Sequence, residues 1–173
     1  MKTLVLEKDW LNLNNLPKDI RHEINRGTRE GLIFKEIIFD EHKKNLRQYR
    51  KRKGLLMPPF KLPFKRRYFG IYTINNKYCC SFALYKFKDG YLVIQGVSID
   101  SESPYYAFSY LIYNSLKLSI EEGNLGLDLA GPADWKFKWN PKELMNSFPN
   151  PKKSLTGGRI TKILAKLYWR FFK

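Results

Sequence analysis

Each change of period in the apolar positions along the chain marks an element. Residues 1–6 read as a short strand, and Pro17 opens a polar helix through Glu30 that Gly31 stops. Leu32 to Phe39 alternates and is β-branched, which predicts a second strand. Asp40 is the expected cap of the helix EHKKNLRQYRKRK, which ends at Gly54 and leads into a proline-bearing loop, GLLMPPFKLPFKRR. Three strand-like runs follow, Tyr68 to Ile74, Lys77 to Phe87 and Tyr91 to Ile99, separated by the turns Asn75-Asn76 and Lys88-Asp89-Gly90. Ser103 and Pro104 supply an N-cap and a first-turn proline for the helix YYAFSYLIYNSLKLSIEEG, which Gly123 stops, and Leu125 to Leu129 is a further strand. The last element is a helix from about Gly158, with Ile160, Ile163, Leu164, Leu167 and Phe171 on one stripe and basic residues largely opposite.

This order predicts a mixed α/β fold with an antiparallel meander at its centre, in a single domain spanning residues 1–173. The strand, helix, strand unit at residues 91–129 predicts two parallel neighbours crossed right-handed by the helix. Where such neighbours splay, a cleft opens between them.

Charge changes the picture most. Against 16 Asp+Glu stand 32 Lys+Arg, a net charge of +16, which points to a polyanionic partner. Lys43 to Arg67 holds eleven basic residues and no acid, and Pro151 to Lys173 holds seven and no acid. A solvated surface mixes signs, so these are patches. The first sets Lys43, Arg47, Arg50 and Lys51 at helical spacing and adds Phe60, Phe64, Lys65, Arg66 and Arg67 from the loop, a pairing of cations and aromatics that suits a phosphodiester backbone with unstacked bases. Phe60 and Phe64 serve equally well as anchors of a long loop. The C-terminal helix either packs on its own domain or lies on an anionic membrane with Trp169 and Phe172 near the interface.

The remaining composition narrows the chemistry. Cys79 and Cys80 are adjacent, point to opposite faces of a strand and read as reduced, packed thiols. With no apolar signal core in MKTLVLEKDW and no apolar run of membrane-spanning length, the expected setting is the cytoplasm, with a peripheral position at the inner membrane face as the variant. His22 and His42 sit apart in charged helices and read as surface polar residues, so no metal site is expected. Neither GxxxxGK[ST] nor GxGxxG occurs, leaving ATP and dinucleotide chemistry without support.

The stretch LDLAGPADWKFKWNPK, residues 127–142, concentrates the candidates: a strand that ends in a carboxylate, Asp128, then a turn alternating lysine with large aromatics. In one reading Asp128 caps the turn beside Gly131-Pro132, and Lys136 and Lys138 flank a Trp-Phe-Trp core. In the other this is a site.

The order of elements, ending in LDLAG, resembles the Gcn5-related acyltransferase (GNAT) fold, in which adjacent parallel strands splay to form an acyl-donor cleft. Three stretches are similar to the Fem family of peptidoglycan-bridge aminoacyl transferases: IRHEINRGTREGLIF, PYYAFSYLIYNSLKLSIEEGNLGLDLAG and WKFKWNP. Fem enzymes usually pair two such domains, and this chain has room for one. The resemblance implies an acyl or aminoacyl transferase with no resident cofactor, acting on an amine such as that of a cell-wall precursor. It places Asp128 at the cleft as a candidate catalytic group, and Lys136 and Lys138 against an anionic donor or acceptor, Lys138 being the better match to the family's aromatic-lysine position. A backbone N–H where the strand bends at Gln95-Gly96-Val97 is the candidate oxyanion donor, because a glycine inside a strand marks a bulge or a close approach. Tyr105 and Tyr106 are substrate-binding candidates that also read as core.

The donor follows from charge. The GNAT resemblance implies that acetyl-CoA would be held on a glycine-rich turn before the long helix, whereas Asp100-Ser101-Glu102-Ser103-Pro104 offers two acids and a proline without an N–H. The Fem resemblance implies aminoacyl-tRNA, which a charge of +16 favours, with acetyl-CoA the weaker alternative and a non-enzymatic RNA-binding or membrane-surface module the third reading.

Overall fold

A computed structural model describes residues 2–57, 65–86, 90–130 and 134–145. Phe60, Phe64, the turn residues Lys88 and Asp89, Gly131-Pro132 and the expected C-terminal helix lie outside the described residues. Within them one sheet forms from β1 (Lys2–Glu7), β2 (Ile33–Ile37), β3 (Arg66–Tyr72), β4 (Tyr78–Lys86), β5 (Tyr91–Ile99), β6 (Gly126–Asp128) and β7 (Lys142–Met145). Their order is β2-β3-β4-β5-β6-β1-β7. The expected meander β3-β4-β5 is antiparallel, and β5 and β6 are the expected parallel neighbours.

Four helices accompany the strands: α1 (Lys18–Arg29), α2 (Phe39–Arg52), α3 (Ala107–Glu121) and the single turn α4 (Asp134–Phe137). Two adjacent residues of β4 show how they divide. Ser81 meets His42 of α2, whereas the Phe82 ring packs on Phe108 of α3. Successive side chains of a strand point to opposite faces, so α2 covers one face of the sheet and α3 the other. The larger core lies on the α3 face, where Leu4, Leu6, Phe82, Ile112, Leu116 and Leu127 are all at most 2% exposed.

α1 packs on α3 through Gly27. A Cβ there would lie 2.6 Å from Cδ2 of Tyr110, so the helices approach this closely because that position carries no side chain.

Several boundaries depart from the sequence expectation. Helix α2 begins at Phe39 with Ile38 as its N-cap, and Asp40 lies in the first turn beside Glu41, where carboxylates favour the positive end of the helix without capping it. Helix α3 begins at Ala107, not at Ser103-Pro104. The Asp100 carboxylate accepts the N–H of Glu102 at 2.9 Å and the Asp100 carbonyl that of Ser103 at 3.3 Å, so those residues close a turn before the helix. α4 appears in the stretch expected to be a turn, and β7 follows it where no strand was expected. No helix among the described residues is long and apolar enough to cross a membrane.

Candidate active site

Pairing between β5 and β6 runs Tyr91↔Gly126, Leu92↔Leu127, Val93↔Asp128 and stops. β5 continues to Ile99 without that neighbour, still paired to β4, and bends on the way. Ser81↔Ser98 and Ala83↔Gln95 are consecutive registers, so Phe82 opposes both Gly96 and Val97 in a β-bulge. Gly96 adopts φ +65, a left-handed conformation, and a Cβ there would stand 3.4 Å from Nε2 of His42.

At the far end of β5, with Ile99 in its wall, lies a cavity of about 310 Å³. Ile99 and the turn residues Ser103, Pro104 and Tyr105 form one side, Ile20 and Glu23 of α1 with Phe108 and Ser109 of α3 another. Trp135, Lys138 and Trp139, following β6, complete it. The lining includes the aromatic residues Tyr105, Phe108, Trp135 and Trp139, with Phe108 and Trp135 edge to face at 4.9 Å. Trp139 is 1% exposed, and its carbonyl accepts the indole N–H of Trp10 at 3.0 Å, so this wall is fixed to the core.

The sequence candidates divide in space. Tyr105 and Lys138 line the cavity, both exposed on its rim. Gly96 lies in the bulge on β5 with Gln95 beside it, and neither is among the groups lining the cavity. Tyr106 is buried, donates its hydroxyl hydrogen bond to Glu30 and lies 4.8 Å beneath the Arg26 guanidinium.

Asp128 and Lys136 form a buried knot that is not among the groups lining the cavity. The Asp128 carboxylate accepts from the Thr3 hydroxyl and from the N–H of Ala130 at 2.6 Å, an Asx turn that carries Ala130 into the left-handed region at φ +62. The Lys136 ammonium donates to the Leu129 carbonyl, and burial pushes its pKa down to about 8 against the opposing pull of Asp128. Together they tie the end of β6 to β1 and α4.

One residue went unread in the sequence and another was read wrongly. Glu23 lines the cavity, and its Oε2 accepts the Ser109 hydroxyl at 2.5 Å. Its signal was an acid one turn before Gly27, on the helix face that carries the glycine. His42 was expected at the surface and is instead 1% exposed. Its Nδ1 lies 3.0 Å from the Ser81 hydroxyl, which lies 3.0 Å from the Tyr78 hydroxyl, and its ring stacks on Tyr68 at 5.0 Å. Burial, with Arg66 adding like charge, lowers the His42 pKa to about 4 and keeps the ring neutral.

The basic segment also divides. Lys43, Lys44, Arg47 and Lys51 are exposed on α2. Arg50 is half-buried and donates to the Leu56 carbonyl. Arg66 faces the His42 side of the sheet, and Arg67 is engaged by Glu36 at 3.0 and 3.1 Å and by Glu122.

No protein-family profile and no curated protein matches the chain. Solved structures do. The C-terminal domain of a protein assigned as a lysylphosphatidylglycerol synthetase from Agrobacterium fabrum aligns with TM-score 0.66 at 15% identity, covering 82% of this chain and 57% of that one. L-PGS from Bacillus licheniformis aligns with TM-score 0.61 at 13% identity, over 96% of this chain and 64% of that one. FemX aligns with TM-score 0.65 at 12% identity, over 82% and 59%. The chain thus spans 57% to 64% of the length of these structures. At such identities the likeness is one of fold. The described chain has the GNAT-like fold, a mixed sheet with one parallel pair that parts, in the form it shares with FemX and the two synthetase structures.

Proposed function

We propose that this chain is an aminoacyl transferase that moves an aminoacyl group from tRNA to an amine. The observation that carries the proposal is the cavity walled by Ile99 at the end of β5 and by the segment after β6, with Lys138 and Tyr105 on its rim, on the strand whose unpaired length carries the Gly96 bulge. That FemX and two structures named for lysylphosphatidylglycerol synthesis share the fold supports a transferase in particular.

The chemistry is aminolysis of an ester. The amine nitrogen attacks the carbonyl carbon, and the carbonyl electron pair moves to oxygen. Backbone N–H groups of the Gln95–Val97 bulge are the proposed donors to that oxyanion. The C–O bond then breaks toward the ribose oxygen of the tRNA. Lys138 meets a phosphate of the donor or an anionic group of the acceptor, and the exposed α2 cations Lys43, Lys44, Arg47 and Lys51 hold the tRNA backbone. Tyr105 orients the acceptor. Asp128 and Lys136 hold the end of β6, and Asp128 has no part in the proton transfers.

Acetyl-CoA is the weaker donor. In the turn before α3 the Asp100 side chain already accepts the Glu102 N–H, Pro104 has no N–H, and Ser103 gives its own N–H to Asp100. A pyrophosphate would find an acid where it needs donors. The proposed setting is the cytoplasm, with the basic residues from Arg159 to Lys173 as the proposed contacts to an anionic membrane. Incubation with charged bulk tRNA and a panel of amines, followed by mass spectrometry, tests the reading. Aminoacylated amine above the rate of tRNA alone is the expected result. Calorimetric binding of acetyl-CoA with acetyl transfer, and no aminoacyl product, would replace it.

A further inference from the structure

We infer that Glu23, held by Ser109, is the group that receives the acceptor amine and takes its proton, an assignment that rests on the aminoacyl-transferase reading. Among the described residues lining the cavity, Glu23 is the one carboxylate. Its position is built into the helix packing. Gly27 lets α1 close on Tyr110, and one turn earlier on the same face of α1 the side chain of Glu23 meets Ser109, the neighbour of Tyr110. The Ser109 hydroxyl, in a residue 7% exposed, donates to Oε2 and fixes the carboxylate plane, so Oε1 is left for a ligand.

The surroundings select an ammonium. Aromatic faces from Tyr105, Phe108, Trp135 and Trp139 line the same space, and a cation gains from such faces as well as from a carboxylate. Lys138 is the cationic side chain of the lining and repels an ammonium, which directs the amine to the α1 wall. The acid first considered from the sequence, Asp128, is not among the groups lining the cavity, and its Oδ1 accepts from Thr3 and Ala130.

The protons balance as follows. The acceptor enters as an ammonium paired with Glu23 and loses one proton to water. Its neutral nitrogen forms the C–N bond while the carbonyl pair moves to oxygen. The nitrogen's surplus proton passes to Glu23 Oε1, and as the C–O bond breaks Glu23 hands that proton to the departing ribose oxygen. The carboxylate is regenerated, and the net products are amide, free tRNA hydroxyl and one proton in solution.

Competition between two nucleophiles on bulk aminoacyl-tRNA tests this, with ethanolamine, a cation at neutral pH, set against hydroxylamine, which is uncharged there. Glu23→Gln is expected to lower the ratio of ethanolamide to hydroxamate roughly a hundredfold, the low end of what a general base contributes. Ser109→Ala lowers it less, because the carboxylate remains but swings. If Glu23→Gln does not fold, Glu23→Asp, which keeps the charge and withdraws it by one methylene, must show the drop. An unchanged ratio in a folded variant overturns the role of Glu23. Failure of the wild-type protein to form either product above the rate of tRNA alone overturns the transferase reading instead.

Discussion

His42 shows how burial alters a residue that its neighbours in sequence disguise. Glu41, Lys43 and Lys44 surround it with charge, yet His42 and Leu46, one turn apart, form the stripe of α2 that meets the β5 bulge. Nothing local distinguishes that face, because it is set by where Gly96 brings the sheet. The consequence is measurable. The folded-state pKa of about 4 lies below the ordinary value of 6.5, so the unfolded chain takes up this proton first as pH falls. Stability from this group is therefore constant above pH 6.5 and is lost on acidification toward pH 4, by about 2 kcal/mol already at pH 5. Urea unfolding of wild type and His42→Leu at pH 7 and pH 5 checks it: the wild type should lose about 2 kcal/mol more than the variant between the two. Equal losses would mean that the ring is already solvated.

Lys138 and Trp139 separate site from scaffold at the same scale. Lys138 is exposed on the cavity rim and Trp139 is buried, so neighbours in sequence should fail in opposite ways. Lys138→Ala is expected to lower turnover at least about tenfold, about 1.4 kcal/mol of transition-state stabilisation, with the melting temperature unchanged. Lys138→Arg should restore only part, since a planar fork replaces a compact charge. Trp139→Ala should cost about 3–5 kcal/mol of stability through the void it leaves. A silent Lys138→Ala would remove the lysine from the site.

At the scale of elements, β5 and the parallel pair were legible because a glycine inside an alternating strand and a capped helix between two strands each have few structural solutions. α4 and β7 were not. DWKF makes a single turn and KELM a four-residue edge strand with two charges, and neither is long enough to show a period. Nor could the start of α3 be placed, because Asp100 competes for the N–H groups that a helix cap would use. The α1–α3 contact offers a test in which two effects oppose each other. Gly27→Ala would gain about 0.5–1 kcal/mol from helix propensity alone. The added methyl would sit 2.6 Å from the Tyr110 ring, however, and relieving that overlap costs about 1–3 kcal/mol. Net destabilisation in urea is the expected outcome, together with a weakened preference for ethanolamine, because Glu23 and Ser109 move apart with the helices. A more stable variant would show that the two helices slide freely.

For the whole molecule, a charge of +16 was legible as a statement about partners, whereas the sequence could not say which cations are available. Arg67 illustrates the difference. It falls in an acid-free run of sequence, but the antiparallel register of β2 and β3 brings Glu36 beside it, and Glu122 reaches it from the end of α3. Among the described residues, Lys43, Lys44 and Lys51 are exposed on α2, on the face proposed for a polyanion. If six phosphates are neutralised, the slope of log affinity against log salt for tRNA should be about −4 for single-stranded contacts and about −5 for duplex. Reversing Lys43, Arg47 and Lys51 together should lower the affinity and flatten the slope by about 2 to 3. Arg67→Glu should act otherwise: it strands two carboxylates against a third, which lowers the melting temperature while the slope stays near that of wild type. Filter binding across a salt series, run beside thermal melts of both variants, separates the outcomes. A slope near zero in the wild type would remove nucleic acid as the partner, and a slope that collapses with Arg67 but not with the α2 triple variant would place the contact on β3.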